Sequence, residues 1–146
     1  LTKYCHDTGV VVSMGHSSAT YEEALLGIAN GATSMTHVYN GMTPYHHRKP
    51  GLVGTAMRVR DIYGEIIGDG QHSHLAALNN YMTAKGRDYG ILVTDSLRAK
   101  HCPPGGDYEL GGHSIEIREN GLAYLKGTET IAGSTLYMNR RTADYD

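Results

Sequence analysis

Short apolar segments alternate with helix-like segments along most of this chain. Four segments are typical of buried strands that run into polar residues: GVVVSMGHSS, ATSMTHVYN, DIYGEIIGDGQH and YGILVTDS. Two helix-like segments, TYEEALLGIANG and SHLAALNNYMTAKG, separate the first strand from the second and the third from the fourth. Strands that alternate with helices pair in parallel, because each helix carries the chain back to where the next strand begins. The alternation therefore predicts an α/β fold built on a parallel sheet.

Capping signals mark the helix boundaries. Thr20 and Glu23 have the spacing of a capping box, and Gly31 ends the same helix-like segment. The first residues, LTKYCHDTG, have the pattern of a last helical turn closed by Gly9, and STLYMNRRTADYD begins like a helix with Ser134 as its N-cap. A chain that starts and stops inside helices is expected to be a piece of a larger protein.

The character of the sequence changes after Pro103 and Pro104. The segment YELGGHSIEIRENGLAYLKG contains two alternating runs around ENG, which predicts a β-hairpin. We therefore expect the chain to divide into three ranges: 1–102, 103–130 and 131–146.

Charge and hydropathy exclude two classes of partner. The net charge of -2 gives no electrostatic basis for binding nucleic acid or an anionic membrane. No run approaches the ~18 consecutive apolar residues of a membrane-spanning helix. Cys5 and Cys102 lie far apart and form no C-x-x-C motif, so we expect free thiols in a reducing compartment. We therefore expect a cytoplasmic protein with neither nucleic acid nor membrane as partner.

Residues with metal-binding or acid–base side chains follow all four predicted strands. His16, His37, His72 and Asp95 come at their carboxyl ends, which share one edge of a parallel sheet. A lone histidine at a strand end is more often structural than functional, but four residues in phase favour a site. Two imidazoles and a carboxylate suit Zn²⁺ or Fe²⁺, so we expect a divalent metal as cofactor.

The loop from Thr36 to Gly51, THVYNGMTPYHHRKPG, is crowded with polar groups, which is unusual for a loop that binds nothing. Within it, the roles of His46 and His47 stay open between contacting a phosphate and capping the loop.

Several segments together resemble one enzyme family. GHSSATYEEA, ATSMTHVYNGM, HHRKPGLVGTA, GDGQHSH, ILVTDS and TIAGSTLYM are similar, in this order, to the second half of N-acetylglucosamine-6-phosphate deacetylases of the amidohydrolase superfamily. The resemblance implies that residues 1–102 form strands five to eight of a (β/α)8 metal-dependent hydrolase barrel. Residues 103–130 would be a β-hairpin insertion or part of a small β-domain, and residues 131–146 would return to the barrel and start a helix.

The resemblance also implies the chemical roles. His16 and His37 match the family's metal-binding histidines, and Asp95 matches its catalytic acid–base. The family's glutamate ligand and its carbonyl-polarising histidine would lie in the missing first half. The implied substrate contacts are Asn40, Gly41, Arg48, His72, Ile131, Ala132 and Gly133. Asp69, in the same GDGQH segment as His72, would be either a further contact or a structural residue of that turn.

The activity implied is hydrolysis of the acetamide of N-acetylglucosamine 6-phosphate to glucosamine 6-phosphate and acetate, in amino-sugar catabolism. The partner would be a small-molecule phosphosugar, and the parent enzyme would be a homodimer in which Arg48 can cross the interface. Two alternatives stay open: a deacetylase of the galactosamine epimer, and a truncated, non-catalytic half-barrel without a full metal site.

Overall fold

The computed structural model describes residues 1–139. The chain divides into two compact units, Leu1–Val93 and a second that begins at Thr94. The sequence placed a boundary at residue 102 instead, because the composition changes at Pro103; that boundary and the one at residue 130 stay predictions. No helix within residues 1–139 is both long and apolar enough to cross a membrane.

The first unit is a parallel sheet with helices between its strands. The helices are α1 (Thr2–Asp7), α2 (Tyr21–Ala29), α3 (Gly51–Arg58) and α4 (Leu75–Lys85). The strands are β1 (Val12–Met14), β2 (Ala32–Met35), β3 (Tyr63–Ile67) and β4 (Gly90–Val93). They pair in the order β1-β2-β3-β4, and every pair is parallel. The predicted α/β class with a parallel sheet is confirmed.

Helix α2 begins as predicted, and α4 begins with a related cap. The Thr20 side chain accepts from the Glu23 N–H, and the Glu23 side chain accepts in return from the Thr20 N–H, which completes the capping box. At α4, the N-cap is His74, whose ring Nδ1 accepts from the N–H of Ala76 at 3.1 Å. Both caps satisfy backbone N–H groups that the first turn of a helix leaves without partners.

Helix α3 was not predicted. Its residues Gly51 to Ala56 are all buried, and this short segment contains two glycines, which disfavour a helix. Pro50 is the N-cap of α3, and Gly51 is its first residue.

The core of the first unit lies between the sheet and its helices. Tyr81 on α4 and Met35 on β2 are fully buried in it. The other buried members are Val38, Val53, Ala56, Ile62, Ile66 and Leu78. This packing holds the carboxyl ends of the strands at one edge of a rigid sheet.

The second unit contains an antiparallel sheet in the order β5-β6-β7-β8. Its elements are a 3₁₀ helix (Arg98–His101) and the strands β5 (Tyr108–Leu110), β6 (His113–Ile117), β7 (Leu122–Leu125) and β8 (Ile131–Ser134). The hairpin predicted around ENG is confirmed, since β6 and β7 pair and Gly121 in the turn has φ +78°.

The helix predicted from Ser134 was wrong where it can be described. Ser134 is the last residue of β8, and its Oγ donates to the carbonyl of Thr94 at 2.6 Å while accepting the Leu136 N–H at 3.1 Å. No helix follows in residues 135–139. The remainder of the predicted helix, 140–146, lies outside the described residues, and the return of residues 131–146 to a barrel stays a prediction.

Candidate active site

Three of the predicted site residues have an unusual backbone. His16, His37 and Asp95 each lie two residues beyond a strand, and their φ angles are +45°, +29° and +49°. Within residues 1–139, Tyr39, at φ +81°, is the only other non-glycine residue with positive φ. Such conformations cost about 1–3 kcal/mol each and are concentrated at functional sites. The strain marks the strand ends that the sequence singled out.

The structure brings His16 and His37 together. Their ring centroids lie 4.8 Å apart in an edge-to-face arrangement. Gly41 packs against the His16 ring, since a Cβ on this residue would lie 2.6 Å from Nδ1 of His16. Gly41 also has φ +61°, which favours glycine. The close pairing therefore depends on the absence of a side chain at position 41.

His37 is held by the neighbouring strand β3. The carbonyl of Glu65 accepts the Val38 N–H at 2.8 Å, and its carboxylate Oε2 lies 3.4 Å from the backbone nitrogen of His37, which donates to it. His37 is only 7% exposed, and its Nδ1 has no hydrogen-bond partner among the described residues. Sequence reasoning missed Glu65, although a lone acidic residue in the apolar strand YGEII is a visible signal.

The donor set fits a metal ion in part. Two adjacent imidazoles, one with a buried nitrogen that lacks a partner, are ligands that Zn²⁺ and Fe²⁺ accept. No group of three His, Cys, Asp or Glu side chains placed to hold a metal ion is present in residues 1–139. Catalytic zinc sites usually take three protein ligands, so His16 and His37 would be two of the three.

Asn40 lies three residues after His37 in the polar loop. Its backbone N–H donates to the His37 carbonyl at 3.0 Å. Its side-chain Nδ2 is buried and finds no acceptor within the part of the chain that the structure describes. An amide donor without a partner next to the histidine pair is placed to serve a ligand oxygen.

Arg48 lies in the exposed part of the polar loop. Its Nη1 is 2.8 Å from Nε2 of His47, and its backbone N–H donates to Nδ1 of His46 at 3.2 Å. The His46 and His47 rings lie 4.3 Å apart. Both histidines therefore support the loop and the arginine. A guanidinium has five N–H donors, so this arginine keeps donors for an anion.

His72 and Asp69 form a buried pair after β3. The His72 ring Nδ1 lies 2.6 Å from Oδ2 of Asp69, and both side chains are 4% exposed. Oδ1 of Asp69 accepts the backbone N–H groups of Gln71 and His72, each at 2.9 Å. Burial tends to raise the pKa of Asp69, but the hydrogen bonds from the His72 ring and from the two N–H groups outweigh it and hold that pKa below its usual value.

The remaining predicted residues belong to the second unit. The Asp95 carbonyl accepts the Ser134 N–H at 3.2 Å, which ties this segment to the end of β8. Ile131, Ala132 and Gly133 form the rest of β8, and Gly133 has φ +135°. Because Asp95 and β8 lie in this unit, the predicted meeting of Asp95 with the histidines stays a prediction.

Known proteins resemble this chain along nearly its whole length. The N-acetylglucosamine-6-phosphate deacetylase of Bacillus subtilis is 45% identical over 141 residues, covering 95% of this chain. The N-acetylgalactosamine-6-phosphate deacetylase of Escherichia coli O157:H7 is 34% identical and covers 92% of the chain. No family model matches the chain.

A solved structure agrees with these relatives. A variant N-acetyl-D-glucosamine-6-phosphate deacetylase from Mycobacterium smegmatis, in complex with N-acetyl-D-glucosamine-6-phosphate, matches with a TM-score of 0.88 at 33% identity over 92% of this chain and 35% of that one. The chain spans 34% of the length of each of the two relatives above. It is therefore homologous to a segment, about a third of the full length, of the N-acetylglucosamine-6-phosphate deacetylase family.

Proposed function

We propose that this chain supplies part of the active site of a metal-dependent deacetylase that converts N-acetylglucosamine 6-phosphate to glucosamine 6-phosphate and acetate. The observation that carries the proposal is the His16–His37 pair, with rings 4.8 Å apart on strained backbone just beyond two parallel strands. Homology to deacetylases supports the reaction and the phosphosugar substrate. The sequential, all-parallel order β1-β2-β3-β4 is also the strand order of a (β/α)8 barrel and supports that architecture.

His16 and His37 would hold a divalent ion, Zn²⁺ or Fe²⁺, with a third ligand from outside the described residues. An ion held there would supply Lewis-acid chemistry, which would polarise the acetamide carbonyl and make the attacking water easier to deprotonate. Asp95 takes the water proton as the carbonyl carbon is attacked, and it then gives that proton to the leaving amine as the C–N bond breaks. One carboxylate thus serves as base and then as acid.

The substrate contacts would divide by chemistry. The Asn40 amide and the Gly41 N–H donate to sugar-phosphate oxygens, and Arg48 binds the phosphate in bidentate fashion. His72 contacts the sugar phosphate with its ring, while Ile131, Ala132 and Gly133 line the substrate with backbone. Arg48, whose side chain is exposed, would reach the phosphate across a homodimer interface of the longer protein.

An assay of acetate release tests the proposal on a longer protein that carries this segment. Asp95→Asn is expected to lower kcat by about 10²-fold or more, because general acid–base catalysis contributes that much. The matched control is Asp88→Asn, which alters an exposed aspartate of the first unit and is expected to leave kcat unchanged. Equal rates for Asp95→Asn and the unsubstituted enzyme would contradict the assigned role.

The phosphate contact has its own test. Arg48→Ala is expected to reduce kcat/KM about tenfold or more for the phosphorylated substrate, since a charge-assisted contact is lost, and to change little for unphosphorylated N-acetylglucosamine. Lys49→Ala removes the neighbouring exposed charge and serves as control. Equal losses with both substrates would show that Arg48 does not bind phosphate. Using the galactosamine epimer in the same assay decides between the two sugars.

A second reading is a non-catalytic half-barrel, favoured by the absence, within residues 1–139, of any group of three metal-binding side chains placed to hold an ion. We expect the 146-residue chain by itself to release no acetate with added Zn²⁺ or Fe²⁺, because no third ligand joins His16 and His37 within residues 1–139. Turnover by the chain that disappears in Asp95→Asn would overturn this expectation and show that the chain builds a complete site.

A further inference from the structure

The pair formed by Asp69 and His72 fixes where the imidazole carries its proton. The low pKa of Asp69 keeps the carboxylate ionised at neutral pH, and an ionised carboxylate can only accept hydrogen bonds. The contact of 2.6 Å between Oδ2 and the His72 Nδ1 therefore requires a proton on Nδ1. This leaves Nε2 as the ring atom available to a further partner.

The second ring nitrogen of His72, Nε2, forms no hydrogen bond within the described residues. Nε2 of His72 is buried and has no hydrogen-bond partner within residues 1–139, although the side chain is only 4% exposed. A buried polar atom without a partner is costly, unless a ligand completes its hydrogen bonding. The carboxylate on the other side of the ring prevents the imidazole from turning over to hide this atom.

We propose that Asp69 is a positioning residue that locks His72 in the Nδ1–H form, so that the unprotonated Nε2 accepts a hydrogen bond from a hydroxyl group of the phosphosugar. The ligand in this statement rests on the proposed function, whereas the locked proton position is a property of the chain itself. Carboxylate-oriented imidazoles in other sites show the same logic, in which the partner of one ring nitrogen sets the chemistry of the other.

Asparagine cannot replace Asp69 in this arrangement. Asp69 accepts three hydrogen bonds with two oxygens, whereas an asparagine side chain has one oxygen and one NH₂ group. If the amide oxygen keeps the two backbone N–H groups, the NH₂ faces Nδ1 of His72. The imidazole must then carry its proton on Nε2, which reverses the ring's donor and acceptor atoms.

The test is a long-range ¹H–¹⁵N spectrum of the ¹⁵N-labelled chain, recorded at a pH at which its histidines are neutral. His72 is expected as the Nδ1–H tautomer. His74, two residues later, is an internal control with the opposite tautomer, because its Nδ1 accepts the Ala76 N–H and its proton must lie on Nε2. In Asp69→Asn, His72 is expected to change to Nε2–H while His74 keeps its own pattern.

Each outcome decides the proposal. An Nε2–H tautomer at His72 in the unsubstituted chain would overturn it without any variant, even if Asp69→Asn fails to fold. A folded Asp69→Asn chain with His72 still in the Nδ1–H form would overturn it as well.

Kinetics on a longer protein that carries this segment separate this inference from the proposed function. Asp69→Asn is expected to raise KM for the phosphosugar about fivefold, as for loss of one hydrogen bond between neutral groups, with a smaller change in kcat. A reversed tautomer with unchanged KM would refute the ligand contact. The predicted tautomers in a protein without deacetylase activity would refute the proposed function and leave the lock in place.

Discussion

Lys85 connects the end of one helix to the end of another from a buried position. It is the last residue of α4 and is 2% exposed. Its Nζ donates to the carbonyls of Val59 at 2.7 Å and of Ala56 at 3.1 Å, which lie at the carboxyl end of α3. Carbonyls there have no partner within their own helix, so the lysine caps α3.

Burial lowers the pKa of Lys85 from 10.5 to about 8, against the opposing effect of the charge of Asp61. Between pH 8 and 10.5 the unfolded chain then binds a proton at this residue that the folded chain does not, so stability rises with pH across this window. This lowering of the pKa by about 2.5 corresponds to about 3 kcal/mol of stability. The neutral amine still has two N–H groups for the two carbonyls.

Urea denaturation of the unsubstituted chain and of Lys85→Met, at pH 7.5 and at pH 10.5, tests this reasoning. The substitution is expected to cost about 3 kcal/mol more at the higher pH, while the other ionisable groups titrate alike in both chains and cancel. Lys3→Met, at an exposed lysine, is the control and should show no such dependence. A cost for Lys85→Met that is the same at both pH values would refute the argument.

Three further predictions concern close packing and helix capping. Gly41→Ala is expected to displace the His16 ring and weaken Zn²⁺ binding to the chain in calorimetric titration, because the new Cβ would lie 2.6 Å from Nδ1; an unchanged affinity would contradict the packing. Gly64→Ala should cost more than about 2 kcal/mol of stability in urea denaturation, since the added methyl would overlap the Tyr81 hydroxyl. Tyr81→Phe should cost under about 1 kcal/mol, because that buried hydroxyl has no partner within the described residues. Similar costs for the two substitutions would argue against the overlap. Thr20→Ala should cost about 1 kcal/mol through loss of the N-cap, and an unchanged unfolding midpoint would disprove the cap's contribution.

Elements with a local pattern could be predicted from the sequence. The four parallel strands and the hairpin carry their own apolar periodicity and turn residues, and the cap of α2 lies in adjacent residues. Helix α3 could not be found this way, because it is only eight residues long and contains two glycines, which disfavour a helix. The helix expected after Ser134 failed because the same serine that resembles an N-cap instead ends a strand.

The same distinction, between features visible in the chain order and features that need the folded structure, applies to the candidate site. The meeting of His16 with His37 follows from their equal offset beyond adjacent parallel strands, so chain order sufficed to predict it. Glu65 could not be assigned, because its contact with His37 depends on how β3 is aligned with β2. The partnership of Asp69 with His72 required the folded turn, in which one carboxylate gathers three donors.

The strand order of the first unit also has a consequence for how the chain behaves on its own. Strands β1 and β4 are the outer strands of this sheet, and each pairs with one neighbouring strand within the described residues. Exposed apolar side chains lie at both edges of the sheet: Val11, just before β1, is 79% exposed, and Leu92 on β4 is 57% exposed. Edge strands with exposed apolar side chains can pair with strands from other molecules. Expressed as 146 residues, the chain is therefore expected to self-associate as its concentration rises.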